Sequence, residues 1–251
     1  MLKNLKRLLF VIYFCCFYSA FSQTGFELGI LAGPVQVRSD FGLRGDGTTN
    51  SGNIGYGVGL MLDINPMDWG GGERLIENYI VDHFKLRFDV SYNKTQLKHY
   101  GQYVDSDSNS ENTIKLKNQR GESKNINTGA FLEYYPLSNR KFYYHLMDFS
   151  PYAIFGFQYI YAQPGANTTN SRDLYSEWLP GSVNTGTFNA LSIDTGVGIR
   201  YKVSDYSDFL IEAKVQFYTS DWVDGLNHQL SYNKNNDSLI WINIGYVYYI
   251  N

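Results

Sequence analysis

Cysteine is almost missing from this chain. Its two cysteines, Cys15 and Cys16, both lie in an apolar stretch near the amino terminus. If export removes that stretch, the rest of the chain has no thiol, which excludes a disulfide framework, a thiolate nucleophile and a cysteine-ligated metal site. The bulky residues at 11–14 are unlike the small residues that precede a lipidated cysteine, so we expect no lipid anchor here.

The chain also has no excess of basic charge. Its 21 Lys and Arg residues are outnumbered by 24 Asp and Glu residues, which leaves a formal net charge of −3. This balance gives no electrostatic footprint for nucleic acid, so we expect no nucleic-acid partner. Four histidines are present, at 83, 99, 145 and 228, without the spacing of metal ligands. We therefore expect no metal site and no cofactor.

Long apolar runs are absent after residue 22. The run at 8–18 is too short for a spanning helix, follows three basic residues and precedes small residues at 20–22. This arrangement is typical of a secretory signal peptide that is cleaved before Gln23. We therefore predict a signal peptide at 1–22 and a single domain at 23–251.

What the chain does have is strict alternation of apolar and polar residues. In 189–203, for example, Leu191, Ile193 and Val197 fall on one face of a strand, and Asp194 and Arg200 on the other. Eight segments show the pattern: 26–37, 54–63, 84–93, 126–135, 152–161, 189–203, 209–217 and 240–250. The sequence therefore predicts an all-β protein, an antiparallel up-and-down barrel of about eight strands.

Alternation alone fits both a soluble lipocalin-like barrel and a membrane-spanning one. Here the apolar face is large and β-branched or aromatic, whereas the polar face carries glycine and charges of both signs. Aromatic residues near the predicted strand ends resemble interfacial girdles. The inner girdle would contain Tyr134, Tyr135, Tyr143, Tyr144, Tyr201, Tyr248 and Tyr249, and the outer one Tyr159, Tyr161, Tyr218 and Trp222. We therefore predict a transmembrane barrel of the bacterial outer membrane, surrounded by outer-membrane lipid.

An even strand number places both ends of the barrel on the periplasmic side, so the long polar connections face outward. The turn at 204–207 is short, as inward turns usually are. The inward connections at 64–82 and 136–149 are longer, and each is predicted to hold a short helix or a strand extension.

Charged residues on the polar face would fill the lumen. An eight-stranded barrel is only wide enough inside for side chains, and an unpaired charge there is costly, so we predict a paired network. Its members are Glu27, Lys85, Arg87, Asp89, Glu133, Asp194, Arg200, Lys202, Glu212 and Lys214. A lumen filled in this way argues against the alternative of a narrow channel.

An outer-rim cluster stands out in the last outward connection: Asp221, Trp222, Asp224, Asn227 and His228. It is typical of turn chemistry that caps a hairpin. The alternative is a lipid-modifying enzyme, a lipid A hydrolase or acyltransferase at the rim. Because the sequence places no nucleophile beside the imidazole, we assign no catalytic residue and predict a non-enzymatic protein.

The order of short motifs along the chain is distinctive. A glycine-rich strand at 54–60 is followed by a hairpin at 84–100, Leu-Glu-Tyr-Tyr-Pro at 132–136, Ser-Pro-Tyr at 150–152, Thr-Ser-Asp-Trp-Val-Asp-Gly-Leu-Asn at 219–227 and Asn-Asp-Ser at 236–238. This order resembles small outer-membrane barrels of Bacteroidota, in particular a flavobacterial branch. More distantly it resembles the PorG-like barrels of the type IX secretion system.

The PorG-like resemblance implies a non-enzymatic anchor for periplasmic secretion-ring proteins or lipoproteins. The periplasmic connections 64–82 and 136–149 would then be the contact surfaces. The partner-binding candidates are Trp69, Arg74, Tyr79, Arg140, Phe142 and Tyr143. The alternative is that these aromatic residues belong to the inner girdle.

Overall fold

The computed structural model describes most of the chain after the predicted signal peptide. The described residues are 25–43, 46–66, 75–102, 104, 110–144, 148–169, 178–227 and 236–250, with the backbone alone at 75–78 and 144. The predicted signal peptide lies outside these residues.

Eight strands form one closed barrel. They are β1 (Gly25–Arg38), β2 (Ile54–Asn65), β3 (Phe84–Leu97), β4 (Gln119–Tyr134), β5 (Phe149–Thr168), β6 (Phe188–Ser204), β7 (Ser207–Tyr218) and β8 (Ser238–Ile250). Each strand pairs antiparallel with the next, and β8 pairs with β1 to close the sheet. The predicted up-and-down barrel and its short β6–β7 turn are confirmed.

Within the described residues, four short helices lie in the connections. They are α1 (Gly47–Asn50), α2 (Leu75–His83), α3 (Glu111–Asn118) and α4 (Asn139–Tyr144). Of the two structures predicted for the long inward connections, a short helix or a strand extension, both connections hold a helix: α2 before β3 and α4 before β5. Within the described part of the chain, no helix has the length and apolar character needed to cross a membrane.

The barrel has an inside-out distribution of polarity. Outward-facing Val197, Ile244 and Ile30 are 63%, 62% and 59% exposed, whereas Arg87 and Arg200 are 0% exposed inside. A soluble barrel would place apolar side chains inside and polar ones outside. This structure is therefore a membrane-spanning barrel, and the lipocalin-like alternative is excluded.

An outward-facing apolar belt runs around the strands. On β4 it extends from Ile126 to Tyr134, about nine residues, which is the length that crosses a bilayer at a barrel's tilt. Ring pairs mark its edge on the side of the β6–β7 turn: Phe84–Tyr134 at 5.1 Å, Phe149–Tyr201 at 4.7 Å and Phe209–Tyr246 at 5.4 Å between centroids. These rings form the inner aromatic girdle.

Three tyrosines predicted in the girdles lie in the interior instead. Tyr135, Tyr218 and Tyr249 are only 0%, 3% and 2% exposed. The reason is that successive side chains of a strand point to opposite faces. Tyr134 and Tyr248 face outward, so Tyr135 and Tyr249, which follow them, face inward. Among the others, the outward-facing Tyr159 and Tyr161 are exposed, Tyr143 and Trp222 are half-buried, and the Tyr144 side chain lies outside the described part.

Apolar side chains also occupy part of the interior. Leu31, Val35, Leu210, Trp241 and Val247 are at most 4% exposed and pack together in one cluster. The alternating sequence pattern predicted a lumen filled by polar and charged groups, and the folded barrel holds this apolar layer as well. Both kinds of side chain are needed to fill the barrel.

Candidate functional sites in the lumen and at both mouths

Two arginines on different strands, β3 and β6, form the centre of the lumen network. Arg87 projects from β3 and pairs with Glu133, with Glu212 at 2.6 Å and with Asp63 at 3.3 Å. Arg87 is fully buried, so each of these carboxylates replaces water that the guanidinium loses. The planar fork of arginine suits such multiple pairing.

Arg200 projects from β6 and pairs with Glu27 and Asp63. Glu133 and Asp208 lie 3.6 Å from its guanidinium nitrogens. Asp63 and Glu133 therefore contact both arginines and join them into one network. A charge removed from this network leaves several buried partners without compensation.

Two tyrosines surround the arginines. The hydroxyl of Tyr152 donates to Glu212 at 2.8 Å, and that of Tyr135 donates to Glu133 at 2.5 Å. The Arg87 Cζ lies 5.5 Å from the centroid of the Tyr152 ring. Gly198 provides the space for that ring, because a Cβ at Gly198 would lie 2.4 Å from the Tyr152 Cζ.

The remaining charges surround this centre. Lys85 pairs with Glu27 at 2.7 Å, and Lys214 pairs with Asp89 at 3.1 Å. All ten predicted members are buried inside the barrel, namely Glu27, Lys85, Arg87, Asp89, Glu133, Asp194, Arg200, Lys202, Glu212 and Lys214. Asp194 accepts a hydrogen bond from Ser192 at 2.6 Å, and the Lys202 ammonium lies 4.1 Å from the Tyr249 ring centroid.

Sequence reasoning missed four members of the network: Asp63, Asp208, Tyr135 and Tyr152. Asp63 alternates in phase with the inward glycines of β2, so its position was readable from the pattern. Asp208 falls between the predicted turn at 204–207 and the alternating segment 209–217, whereas β7 already begins at Ser207. Nothing in the sequence showed that either carboxylate lies beside Arg200.

The outer-rim cluster belongs to a folded cap over the outer mouth. The Asp224 carboxylate accepts the backbone N–H of Asp40 at 3.0 Å and that of Leu226 at 2.7 Å. Asp237 accepts the N–H groups of Val223 and Asp224 at 3.0 and 3.2 Å. These bonds tie together the connections that precede β2 and β8.

The connection before β6 joins the same cap. The Asn184 N–H donates to the Gly225 carbonyl at 3.0 Å, and the Asn227 N–H donates to the Ser182 carbonyl at 2.9 Å. Gly225 has a φ of +87°, a conformation in which a side chain would be strained. The outer cap therefore consists of residues 39–42, 182–184 and 223–227.

The cap is anchored by apolar burial. Phe41, Leu97, Val223 and Leu226 are all 0% exposed and belong to the apolar cluster of the interior. The turn interpretation of the outer-rim cluster agrees with this geometry. Trp222 is half-buried, and His228, which the enzyme alternative needs, lies outside the described residues.

Asp224 makes the stability of the outer cap depend on pH. Burial, and then the neighbouring carboxylate of Asp40, raise the pKa of Asp224 from 3.8 to about 8. Since the folded pKa exceeds the unfolded one, the folded cap binds more protons between those values, and its stability falls as the pH rises through that window.

We expect the amides of 223–227 to lose protection from hydrogen exchange between about pH 4 and about pH 8, after correction for intrinsic rates. Asp224→Asn, which cannot titrate, should abolish this dependence. Protection of the wild type that stays constant, or that rises with pH, would contradict the assignment.

At the mouth opposite the outer cap, α2 and α4 are held together. The Asp82 carboxylate accepts the Ser138 hydroxyl and the Arg140 N–H, both at 2.9 Å. Tyr79 is 48% exposed, and Arg140 is exposed as well. The hydroxyl groups of Tyr79 and the girdle residue Tyr134 lie 3.1 Å apart, which agrees with the girdle alternative for Tyr79.

The other partner-binding candidates are less exposed or lie outside the described residues. Phe142 is only 4% exposed, so its prediction as an exposed contact residue is wrong: α4 folds back and places this ring against the mouth of the barrel. Tyr143 is half-buried and stacks on Tyr249 with 5.2 Å between centroids. Trp69 and Arg74 lie outside the described residues. No metal-binding group of His, Cys, Asp and Glu occurs among the residues that the structure describes.

The sequence matches no family model and no curated protein. Several solved structures are similar to this chain. A major outer membrane protein from Thermus thermophilus has a TM-score of 0.48 at 14% identity, over 90% of this chain and 99% of that one. Ail from Yersinia pestis, in complex with the heparin analogue sucrose octasulfate, has a TM-score of 0.41 at 10% identity, over 91% and 99%. OprG from Pseudomonas aeruginosa has a TM-score of 0.40 at 13% identity, over 91% of this chain and 97% of that one.

Proposed function

We propose that this chain is a non-enzymatic anchor in the bacterial outer membrane that holds other envelope proteins through its periplasmic face. The observation that carries the proposal is the closed interior. Arg87 and Arg200 bridge the lumen through shared carboxylates, and apolar side chains fill the space beside them. A barrel filled in this way supports a structural role better than solute passage.

The apolar belt supports the location. Closed barrels with an outward apolar band and aromatic girdles are the form in which β-proteins cross the bacterial outer membrane. The short turn between β6 and β7 lies at the mouth opposite the folded cap, and short turns are typical of the periplasmic side of such barrels. We therefore place the outer cap outside the cell and α2 and α4 in the periplasm.

The exposure of residues on α2 and before α4 supports a narrower proposed contact surface. Tyr79 and Ile80 on α2 are 48% and 51% exposed, and Leu137, just before α4, is 53% exposed. Together with Arg140 they give a periplasmic face of exposed apolar groups and one cation. Residues of this kind supply much of the binding energy at protein interfaces. We define this periplasmic face as Tyr79, Ile80, Leu137 and Arg140.

The specific assembly is proposed from the sequence motifs. The resemblance to PorG-like barrels supports a place beside the type IX secretion machinery, with secretion-ring proteins or lipoproteins as partners. The lipid-modifying alternative receives less support, since the Asp224 carboxylate is occupied by two backbone N–H groups.

Crosslinking in native outer membranes tests the anchoring role. We expect mild-detergent purification of the tagged protein to recover periplasmic partners, with crosslinks that map to 75–83 and 136–144. Ile80→Glu should weaken this recovery at least about tenfold, because a buried apolar contact would be replaced by a desolvated charge.

Ile114→Glu is the matched control. Ile114 is 49% exposed, close to the 51% of Ile80, but it lies on α3 at the opposite mouth. A barrel recovered alone, or an equal loss of partners in both variants, would refute the periplasmic face. Channel-like conductance of the purified barrel in planar bilayers would refute the closed interior.

A further inference from the structure

The outward face of β3, β4 and β5 changes polarity at one level. Three outward positions in register, Tyr92, Ile126 and Tyr161, are apolar or aromatic. Two residues further toward the outer mouth, the paired outward positions are Lys94, Lys124 and Gln163. Two residues advance a strand by about 7 Å, so the change lies directly above the apolar belt.

A basic rim patch begins at this level. It contains four cationic side chains, those of Lys94, Lys98, Arg120 and Lys124. Glu122 is an acidic residue within it. Glu122 lies 2.7 Å from the Lys94 ammonium and 2.6 Å from that of Lys124. One negative charge shared between two lysines leaves the patch with an excess of positive charge. On the neighbouring α3, Glu111 is already paired with Lys115 at 2.8 Å.

The patch contains a shallow pocket of about 210 Å³. It is lined by Gln96, Leu97, Lys98, Arg120, Gly121, Glu122 and Asn167. The Arg120 guanidinium is held in place by bonds to the carbonyls of Lys117 and Gln119 at 2.7 and 2.6 Å. An ordered guanidinium, a nearby ammonium and amide groups are donors that suit a phosphate.

We propose that the basic rim patch binds the phosphate groups of phosphorylated lipids in the outer leaflet. The patch faces away from the barrel axis and continues the lipid-facing side, so it meets lipid headgroups rather than the lumen. Lysines at such a boundary extend their ammonium groups toward the headgroups while their stems stay on apolar surface. The inference rests on the proposed outer-membrane location and orientation.

Binding of bis-phosphorylated lipid A to the purified, detergent-folded protein tests this inference. Mixed micelles with and without bis-phosphorylated lipid A would be titrated against wild type and against Lys94→Gln/Lys98→Gln/Lys124→Gln. We expect phosphate-dependent binding that is at least about tenfold weaker in the triple variant, since each cation near an anionic surface contributes several-fold. Glu122→Gln should bind more tightly than wild type.

Arg140→Gln/Lys141→Gln is the matched control, because it removes two exposed cations at the opposite mouth. Equal affinity of wild type and triple variant, or an equal loss in this control, would overturn the proposal. A wild type that binds heparin but not lipid A, together with a triple variant that has lost heparin binding, would overturn the proposal. The ligand would then be a sulfated polysaccharide. A wild type that migrates identically boiled and unboiled on a gel refutes the membrane location itself. If boiled and unboiled samples migrate differently but the protein shows no phosphate-dependent binding of lipid A, only the lipid inference is refuted.

Discussion

Arg200→Met should destabilise the barrel by about 3–5 kcal/mol. Arg200 is 0% exposed and pairs with Glu27 and Asp63, which are 2% and 0% exposed. Without the guanidinium, these carboxylates stay buried with too few cations around them. Methionine has similar length and adds apolar surface, so the expected loss comes from the orphaned charges rather than from a cavity.

Urea unfolding of the purified barrel in detergent, followed by heat-dependent gel mobility, measures this effect. Arg200→Met/Asp63→Asn should recover part of the lost stability, because the amide removes one uncompensated negative charge. Lys124→Met is the control: its ion pair with Glu122 is about one-third exposed and should contribute no more than about 1 kcal/mol. A loss below about 1 kcal/mol for Arg200→Met would mean that water or other side chains replace the network.

Val197→Arg should be the most damaging single change on the outer surface. Val197 is 63% exposed and lies in the middle of the outward face of β6, between Leu191 and Val203. In a bilayer an arginine at mid-depth costs about 2–4 kcal/mol, whereas on a water-exposed surface it would cost almost nothing. The change therefore separates a lipid-facing position from a merely exposed one.

Leu179→Arg provides the matched control. Leu179 is 62% exposed, nearly the same fraction as Val197, but it lies in the connection before β6. We expect folding into vesicles to be impaired by Val197→Arg and unaffected by Leu179→Arg, as read from heat-dependent gel mobility. Equal behaviour of the two variants would show that the apolar belt does not contact lipid.

Much of the barrel was readable from the sequence because a strand has a period of two. Once Asp194 and Arg200 are placed inward, every second residue of β6 follows, and the same rule located all the predicted lumen charges. The rule also explains the errors with Tyr135 and Tyr249, which were grouped with their outward neighbours by chemical type instead of by parity.

Contacts across the lumen could not be predicted in this way. Arg87 and Glu212 are 125 positions apart, and Arg200 and Asp63 are 137 apart. The alternation of faces along a strand predicts that these side chains point inward. Their positions along the barrel axis and their mutual distances depend on how the eight strands are staggered when the barrel closes.

The connections show the same division between sequence and structure. The sequence predicted a short helix or a strand extension in both long inward connections and turn chemistry at 221–228, since local patterns carry such information. Only the folded chain brings Asp224 to the backbone of Asp40 and turns Phe142 into the barrel mouth. By itself the sequence determined the strands, their faces and the polarity of each face. The tertiary structure decided which charges meet, which rings are buried and how the outer mouth is capped, because these contacts join residues that only barrel closure brings together.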